Sequence, residues 1–187
     1  MDGDISQYVL MNYKQPFEYV KEGGDKGFHK KGEWAKAAYW IVQNSNLTAG
    51  EGGAAVDLAF KTKYGDGSDA GSALQTDWGF DNPKNDGKVY QTSHLQKGKY
   101  KLTAHVYEYD RRGFTGYVAV CKGNEMANTS DIPSKSLANA SISGTGDVVV
   151  DISVEEPTDV VIGFVCTITV KQGRAKIDNF KLELVEQ

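Results

Sequence analysis

Residues Gly87–Asp110, GKVYQTSHLQKGKYKLTAHVYEYD, decide the fold class of this chain. Val89 and Leu95 before the Lys97-Gly98 turn, and Tyr100, Leu102, Ala104 and Val106 after it, fall on core-facing parity. A period of two marks a half-buried strand, so two alternating runs about a glycine turn read as strand, turn, strand. The last residues, Ala175–Gln187, AKIDNFKLELVEQ, repeat the device, with Ile177, Phe180, Leu182 and Leu184 apolar and Lys181, Glu183 and Glu186 facing solvent. One parity slip, at Asp178-Asn179, predicts a bulge or bend.

Working outward, further strands are expected around 38–43, 55–62, 73–78, 116–122, 137–142, 147–154 and 160–168. Asn85-Asp86-Gly87, Lys97-Gly98, Gly144-Thr145-Gly146 and Glu156-Pro157-Thr158-Asp159 carry the residues that favour reversal between them. Short helices are conceivable only near 5–12 and in the 124–136 connection. Nine or ten short strands with turn signals between them predict an all-β fold, a two-sheet sandwich. The 21 glycines and 10 tyrosines fit many short strands and tight turns. At 187 residues the chain is long enough for one domain and short for two, so residues 1–187 are read as a single β-sandwich domain, with 1–25 a leading segment packed on it.

Composition excludes several classes. The net charge of −4 and the scattered basic residues give no footprint for nucleic acid. The longest apolar run, Val160 to Val170, is broken by Gly163 and two threonines, and reads as a core strand rather than a membrane span. The chain as given shows no signal peptide. Cys121 shares parity with Tyr117 and Ala119, and Cys166 with Ile162 and Phe164, which predicts two buried free thiols; a disulfide would need those strands to be neighbours.

Gly50-Glu51-Gly52-Gly53-Ala54-Ala55 fits the spacing of a dinucleotide-binding turn but leads into the alternating run VDLAF instead of a helix, so it is set aside. His29, His94 and His105 have no zinc spacing, and the acidic turns around Asp66, Asp69, Asp81 and Asp86 miss the calcium-loop pattern. No nucleophile elbow occurs, so no catalytic residue is assigned and the chain is read as a non-enzyme.

Sugar binding needs aromatic rings against the C–H face of a pyranose and polar groups for its hydroxyls. The strand at Lys99 to Tyr109 puts Lys101, Thr103, His105, Tyr107 and Tyr109 on its non-core face, running into Asp110-Arg111-Arg112. The preceding strand adds Tyr90, Thr92 and His94; if the two strands pair, all eight line one surface, and if they cross between sheets the surface splits. Trp34 and Trp40 are expected in the core, whereas Trp78 precedes the acidic turn GFDNPKNDG and suits a loop tip. The candidate ligand-binding residues are therefore Trp78, His105, Tyr107, Tyr109, Arg111 and Arg112.

KVYQT, then Leu95, then KGKY, followed by GYVAVCKG from Gly116 and IDNFKL from Ile177, resembles a galactose-binding-like family of uncharacterised bacterial surface domains. YVLMNYKQPF from Tyr8, with Trp34 downstream, resembles that family's start. The resemblance implies a jelly-roll sandwich from a secreted or lipid-anchored, cell-surface protein of saccharolytic gut bacteria. It further implies a glycan as partner, within a glycan-acquisition system. A structural calcium ion, which galactose-binding-like domains often hold, is compatible with it. The alternatives are a structural or protein-interaction domain docking other surface proteins, and a glycan-active hydrolase.

Overall fold

The computed structural model describes residues 3–14, 17, 19–20, 34–43, 55–57, 73–77, 84–170 and 172–186. Along them run β1 (Gly3–Asp4), α1 (Ser6–Val9), β2 (Tyr19–Val20), β3 (Trp34–Ala37), β4 (Ile41–Gln43), β5 (Ala55–Asp57), β6 (Ala73–Asp77) and β7 (Lys84–Leu95). Then follow β8 (Gly98–Asp110), β9 (Phe114–Lys122), a 3-10 turn (Thr129–Asp131), α2 (Ile132–Lys135), β10 (Ala138–Ser141), β11 (Gly146–Val154), β12 (Thr158–Ile168) and β13 (Arg174–Glu186). They form the two-sheet antiparallel jelly-roll β-sandwich that the alternation and the resemblance led us to expect. One sheet has the order β11-β8-β13-β6-β5-β3-β2, with β1 against β13, and the other β10-β9-β12-β7-β4.

The alternating residues do face inward. Val89, Leu95, Tyr100, Leu102, Ala104 and Val106 are all buried, and meet Val150 and Ile152 of β11, Ile162 and Phe164 of β12, and Phe180 and Leu182 of β13. Trp40 lies in this core, its ring centroid 5.2 Å from that of Phe180, and its indole N–H donates to the Asn12 carbonyl at 2.8 Å. Burying an indole requires such a partner. The leading segment fills the edge of β13 beyond β6: Gly3 pairs with Leu184, Ile5 N–H donates to Leu182, and Phe180 N–H donates to Tyr13. The Gln91 side-chain amide closes two 2.9 Å bonds with the backbone of Met11, so the strap of chain has its polar groups paired where it crosses the core.

β7 and β8 are strand, turn, strand and lie in different sheets, the second of the two arrangements open from the sequence. Two expectations need correction. The reversal expected at Asn85-Asp86-Gly87 is a bulge inside β7, where Asp86 has φ +55 and the register against β12 shifts between Cys166 and Ile168. β3 was not foreseen as a strand. Residues 58–62 of the expected 55–62 strand lie outside the described residues.

Several outward positions of the five-stranded sheet are apolar as well. Tyr90, Ala119, Cys121, Val161 and Val165 join Met126 and Ile132 of the 124–136 connection in a second buried cluster. Polar clamps hold that connection down. Asp86 Oδ1 accepts from Thr129 N–H at 2.7 Å, Lys88 Nζ donates to Asn128 Oδ1 at 2.7 Å, and the Thr167 and Thr129 hydroxyls meet at 3.0 Å. Both cysteines are buried and no disulfide joins them. Their strands are neighbours, but Cys121 opposes Val161 and Cys166 opposes Gly116. Five rungs, about 17 Å, separate them, far beyond disulfide reach.

Candidate functional site

The outer face of the eight-stranded sheet is where the sequence placed its polar and aromatic strand residues. β8 runs between β11 and β13, so Lys101 stands beside Asp151 and Glu183, Thr103 beside Val149 and Lys181, and His105 beside Asp147 and Asn179. From His105 down to Tyr100 the ladder is regular. Beyond it two bulges sit back to back on opposite strands. Asp178 is the extra residue of β13, between Ile177 and Asn179, which oppose Val106 and His105; Tyr107 is the extra residue of β8, between Val106 and Glu108, which oppose Ile177 and Lys176. The first is the slip foreseen at Asp178-Asn179, and the second is not visible in the alternation. A bulge re-aims side chains, and both do so here.

The Asp178 bulge turns its carboxylate to His105, with Nδ1 at 2.7 Å from Oδ1; the histidine side chain stays 43% exposed and the aspartate 11%. A carboxylate at that distance keeps the proton on Nδ1, which leaves Nε2 of the neutral ring as an acceptor directed away from the pair. The Tyr107 bulge brings Glu108 to the outer face, where it meets Arg174 Nε at 2.8 Å and Lys176 Nζ at 3.0 Å. Lys176 Nζ also lies 6.0 Å from the centroid of the Tyr107 ring, and its side chain is only 3% exposed. A buried ammonium is tolerable because it is paired in this way. His105, Tyr107, Glu108, Arg174, Lys176 and Asp178 thus form one cluster of ring, donors and acceptors.

The other predicted site residues fall differently. The Tyr107 bulge reverses the parity of β8, so Tyr109 packs against the core, edge-on to Phe114 at 5.4 Å and 87°, and is no part of the outer face. Arg112 is bound to Asp110 through Nε at 3.0 Å and Nη2 at 2.6 Å, and this guanidinium holds the Asp110 carboxyl well below the usual carboxylate range. Arg111 is exposed in the turn between β8 and β9. Tyr90 is buried in the second cluster, and Thr92 and His94 look out from the opposite sheet, so the eight-residue surface is split. Trp78 lies outside the described residues, as do Asp66, Asp69, Asp81 and His29. Among the described residues no three His, Cys, Asp or Glu side chains come together to hold a metal ion.

Glu108, Arg174, Lys176 and Asp178 were not foreseen as site residues. Only Asp178 left a trace, as the parity slip. The other three depend on the Tyr107 bulge, which a regular V-Y-E-Y run conceals.

A family described as Domain of unknown function (DUF5013) matches residues 11–163. Among curated proteins none matches the sequence. The fold is similar to the adhesin domain of Epf from Streptococcus pyogenes, with TM-score 0.46 and 17% identity over 95% of this chain and 64% of that one. It is also similar to a candidate sugar binding protein from Bacteroides thetaiotaomicron VPI-5482, with TM-score 0.41 and 15% identity over 94% of this chain and 100% of that one. A third similarity is to the CBM22-1-GH10 modules of a Clostridium thermocellum xylanase complexed with xylohexaose, with TM-score 0.36 and 12% identity over 92% of this chain and 28% of that one. Likenesses at these scores carry no ligand across to this chain.

Proposed function

This chain belongs to that family of unknown function, and on that premise we propose that it is a non-catalytic carbohydrate-binding module of a bacterial cell-envelope glycan-acquisition protein, secreted or anchored at the cell surface. What supports this reading is the opposed-bulge cluster on the outer sheet face, where His105 is half-exposed above buried Asp178 and Lys176. The His105 imidazole, set by the buried Asp178 carboxylate, offers Nε2 to a sugar hydroxyl. Tyr107 supplies a ring, and the Glu108, Arg174 and Lys176 charges lock the strands beneath it. Such a set binds by hydrogen bonding and stacking, on groups already oriented by the sheet. Arg111, exposed at the rim, extends the face. Trp78 follows directly on Asp77, which pairs with Arg174, and is the second ring to test. Among the described residues no helix is long and apolar enough to cross a membrane.

A glycan array with the purified chain tests the reading. We expect specific binding that falls about tenfold in His105→Ala, the loss of one good hydrogen bond, and falls also in Tyr107→Ala and Trp78→Ala. Repeating the array with chelator separates a calcium-dependent site from one built of side chains alone. Silence across a broad array, or binding untouched by His105→Ala and Tyr107→Ala, would overturn it in favour of a protein-interaction domain.

A further inference from the structure

The crossing that splits the predicted polar face leaves Thr92 and His94 on the far side of the sandwich, where they meet a different set of partners. β12 runs between β7 and β9. On its first rungs Asp159 opposes His94, and the Gly123 N–H at the end of β9 donates to the Asp159 carbonyl at 2.9 Å. His94 Nδ1 lies 2.7 Å from Asp159 Oδ1, with side-chain exposures of 49% and 83%. Two rungs deeper Val161, between Thr92 and Cys121, is already under the 124–136 connection. The connection therefore begins at Gly123-Asn124 and leaves the last rungs of this sheet uncovered.

The uncovered corner is a notch of about 420 Å³ lined by Thr92, Ser93, His94, Gly123, Asn124, Asp159 and Val160. That volume lies in the range of small-molecule sites, about 300–1,000 Å³. Gly123 has φ +93, which a side chain would strain, and no atom lies within 4 Å of where its Cβ would be, so the rim there is bare backbone. Each polar group has capacity left. The Asp159 carboxylate uses one oxygen on His94, the neutral His94 ring retains Nε2 as acceptor, and the exposed Asn124 amide and Thr92 hydroxyl both donate and accept. Among the described residues no lysine or arginine lines the notch, and Asp159 would repel an anion.

We propose that this notch is a second saccharide subsite, separate from the opposed-bulge face, which takes a neutral sugar unit through its hydroxyls. Among the described residues it has no phenyl, phenol or indole ring, so its recognition is by hydrogen bonds to vicinal hydroxyls and its affinity is modest. It extends the carbohydrate reading to a second face without needing the first face to be correct. With sites on both outer faces, one domain engages two glycan segments and gains by effective concentration.

The test is an amide chemical-shift titration of the full chain with lactose, cellobiose and galacturonate in turn. Saturable shifts at Thr92, His94, Gly123, Asn124 and Asp159 are expected with a neutral disaccharide and not with galacturonate. His94→Ala and Asn124→Ala, both exposed, should each weaken those shifts about tenfold while leaving the rest of the spectrum in place. Shifts confined to His105, Tyr107 and Lys176 would overturn the notch and keep the first face. Shifts confined to the notch would support it and overturn the first face, and shifts at neither would overturn both. Equal shifts with galacturonate, or shifts that survive His94→Ala, would overturn the notch as assigned.

Discussion

On the five-stranded sheet the covered outward positions include Tyr90, Ala119, Cys121, Val161 and Val165, and the 124–136 connection packs Met126 and Ile132 against them. On the eight-stranded sheet the outward positions include Lys99, Lys101, Thr103, His105, Lys181 and Glu183, which stay partly or wholly open to water. Both faces are built of the same alternating strands, so parity alone does not decide exposure. What decides it is the match between outward residues and a connection long enough to fold back. Where the outward residues are apolar, a connection carrying two large apolar side chains covers them and removes their surface from water. Where they are polar, as from Lys99 to His105, the face stays open and its polar groups remain available to a ligand.

The covered face should behave as a true core. Ile132 is fully buried and Met126 nearly so. Ile132→Ala should cost about 2–5 kcal/mol in a urea titration, the range for a large-to-small change in a packed interior. Thr103→Ala, on the open face, should cost within about 0.5 kcal/mol. Equal costs would show that the connection only rests on the sheet. The next effect sharpens the contrast inside the open face. Lys176 is 2% exposed and pairs with Glu108, so Lys176→Ala should cost about 1–3 kcal/mol by leaving that carboxylate short of a partner, with Arg174 retaining part of the pairing. A cost no larger than that of Thr103→Ala would mean the bulge cluster is loosely held.

Much of this was legible in the chain, and what was not has a common cause. The core of β7, β8 and β13 followed from alternation because aliphatic side chains on period two have one consistent way to be buried. The Asp178 bulge showed because it shifted that alternation, from Ile177 to Phe180. The Tyr107 bulge did not, since tyrosine is at home on either side of a strand, and Tyr107 and Tyr109 keep the spacing of an unbroken run while facing opposite ways. Tyr90 misled for the same reason: one residue type serves an open face and a covered one. The separation of β7 from β8 was beyond local reading because each is fixed by distant strands, β7 by β12 and β8 by β11 and β13. The candidate site sits at just these places, so its members were found in part and its geometry was not.

Alkaline pH should tell the faces apart by a smaller effect. Burial pushes the Cys121 thiol up, with the Ala127 backbone and Lys88 opposing, and burial with Glu125 pushes the Tyr90 hydroxyl up. A native value above the unfolded one means that the unfolded chain releases its proton first as pH rises. The stabilisation is complete below the ordinary thiol value of 9.0 and is lost as pH climbs through the shifted one. Urea midpoints should therefore fall above about pH 9, less steeply in Cys121→Ala, and a native-state thiol assay should find neither cysteine reactive at neutral pH. A midpoint flat through that range would mean the covered face admits water.

The smallest effect expected is at the far end of the open face, in Lys99→Ala. Lys99 Nζ is 2.7 Å from Glu186, but both side chains are more than half exposed, and the contact raises the Lys99 pKa through hydrogen bonding and charge without removing either group from water. Such a pair gains little against solvent screening and the entropy of holding two long side chains. Its loss should leave the urea midpoint unchanged within error at physiological salt, and glycan binding unchanged too, because the residue is six positions along β8 from His105. A fall in binding without a fall in stability would move the recognising surface away from the opposed bulges and toward the solvated ladder, and would do so through charge, since the substitution touches nothing in the core.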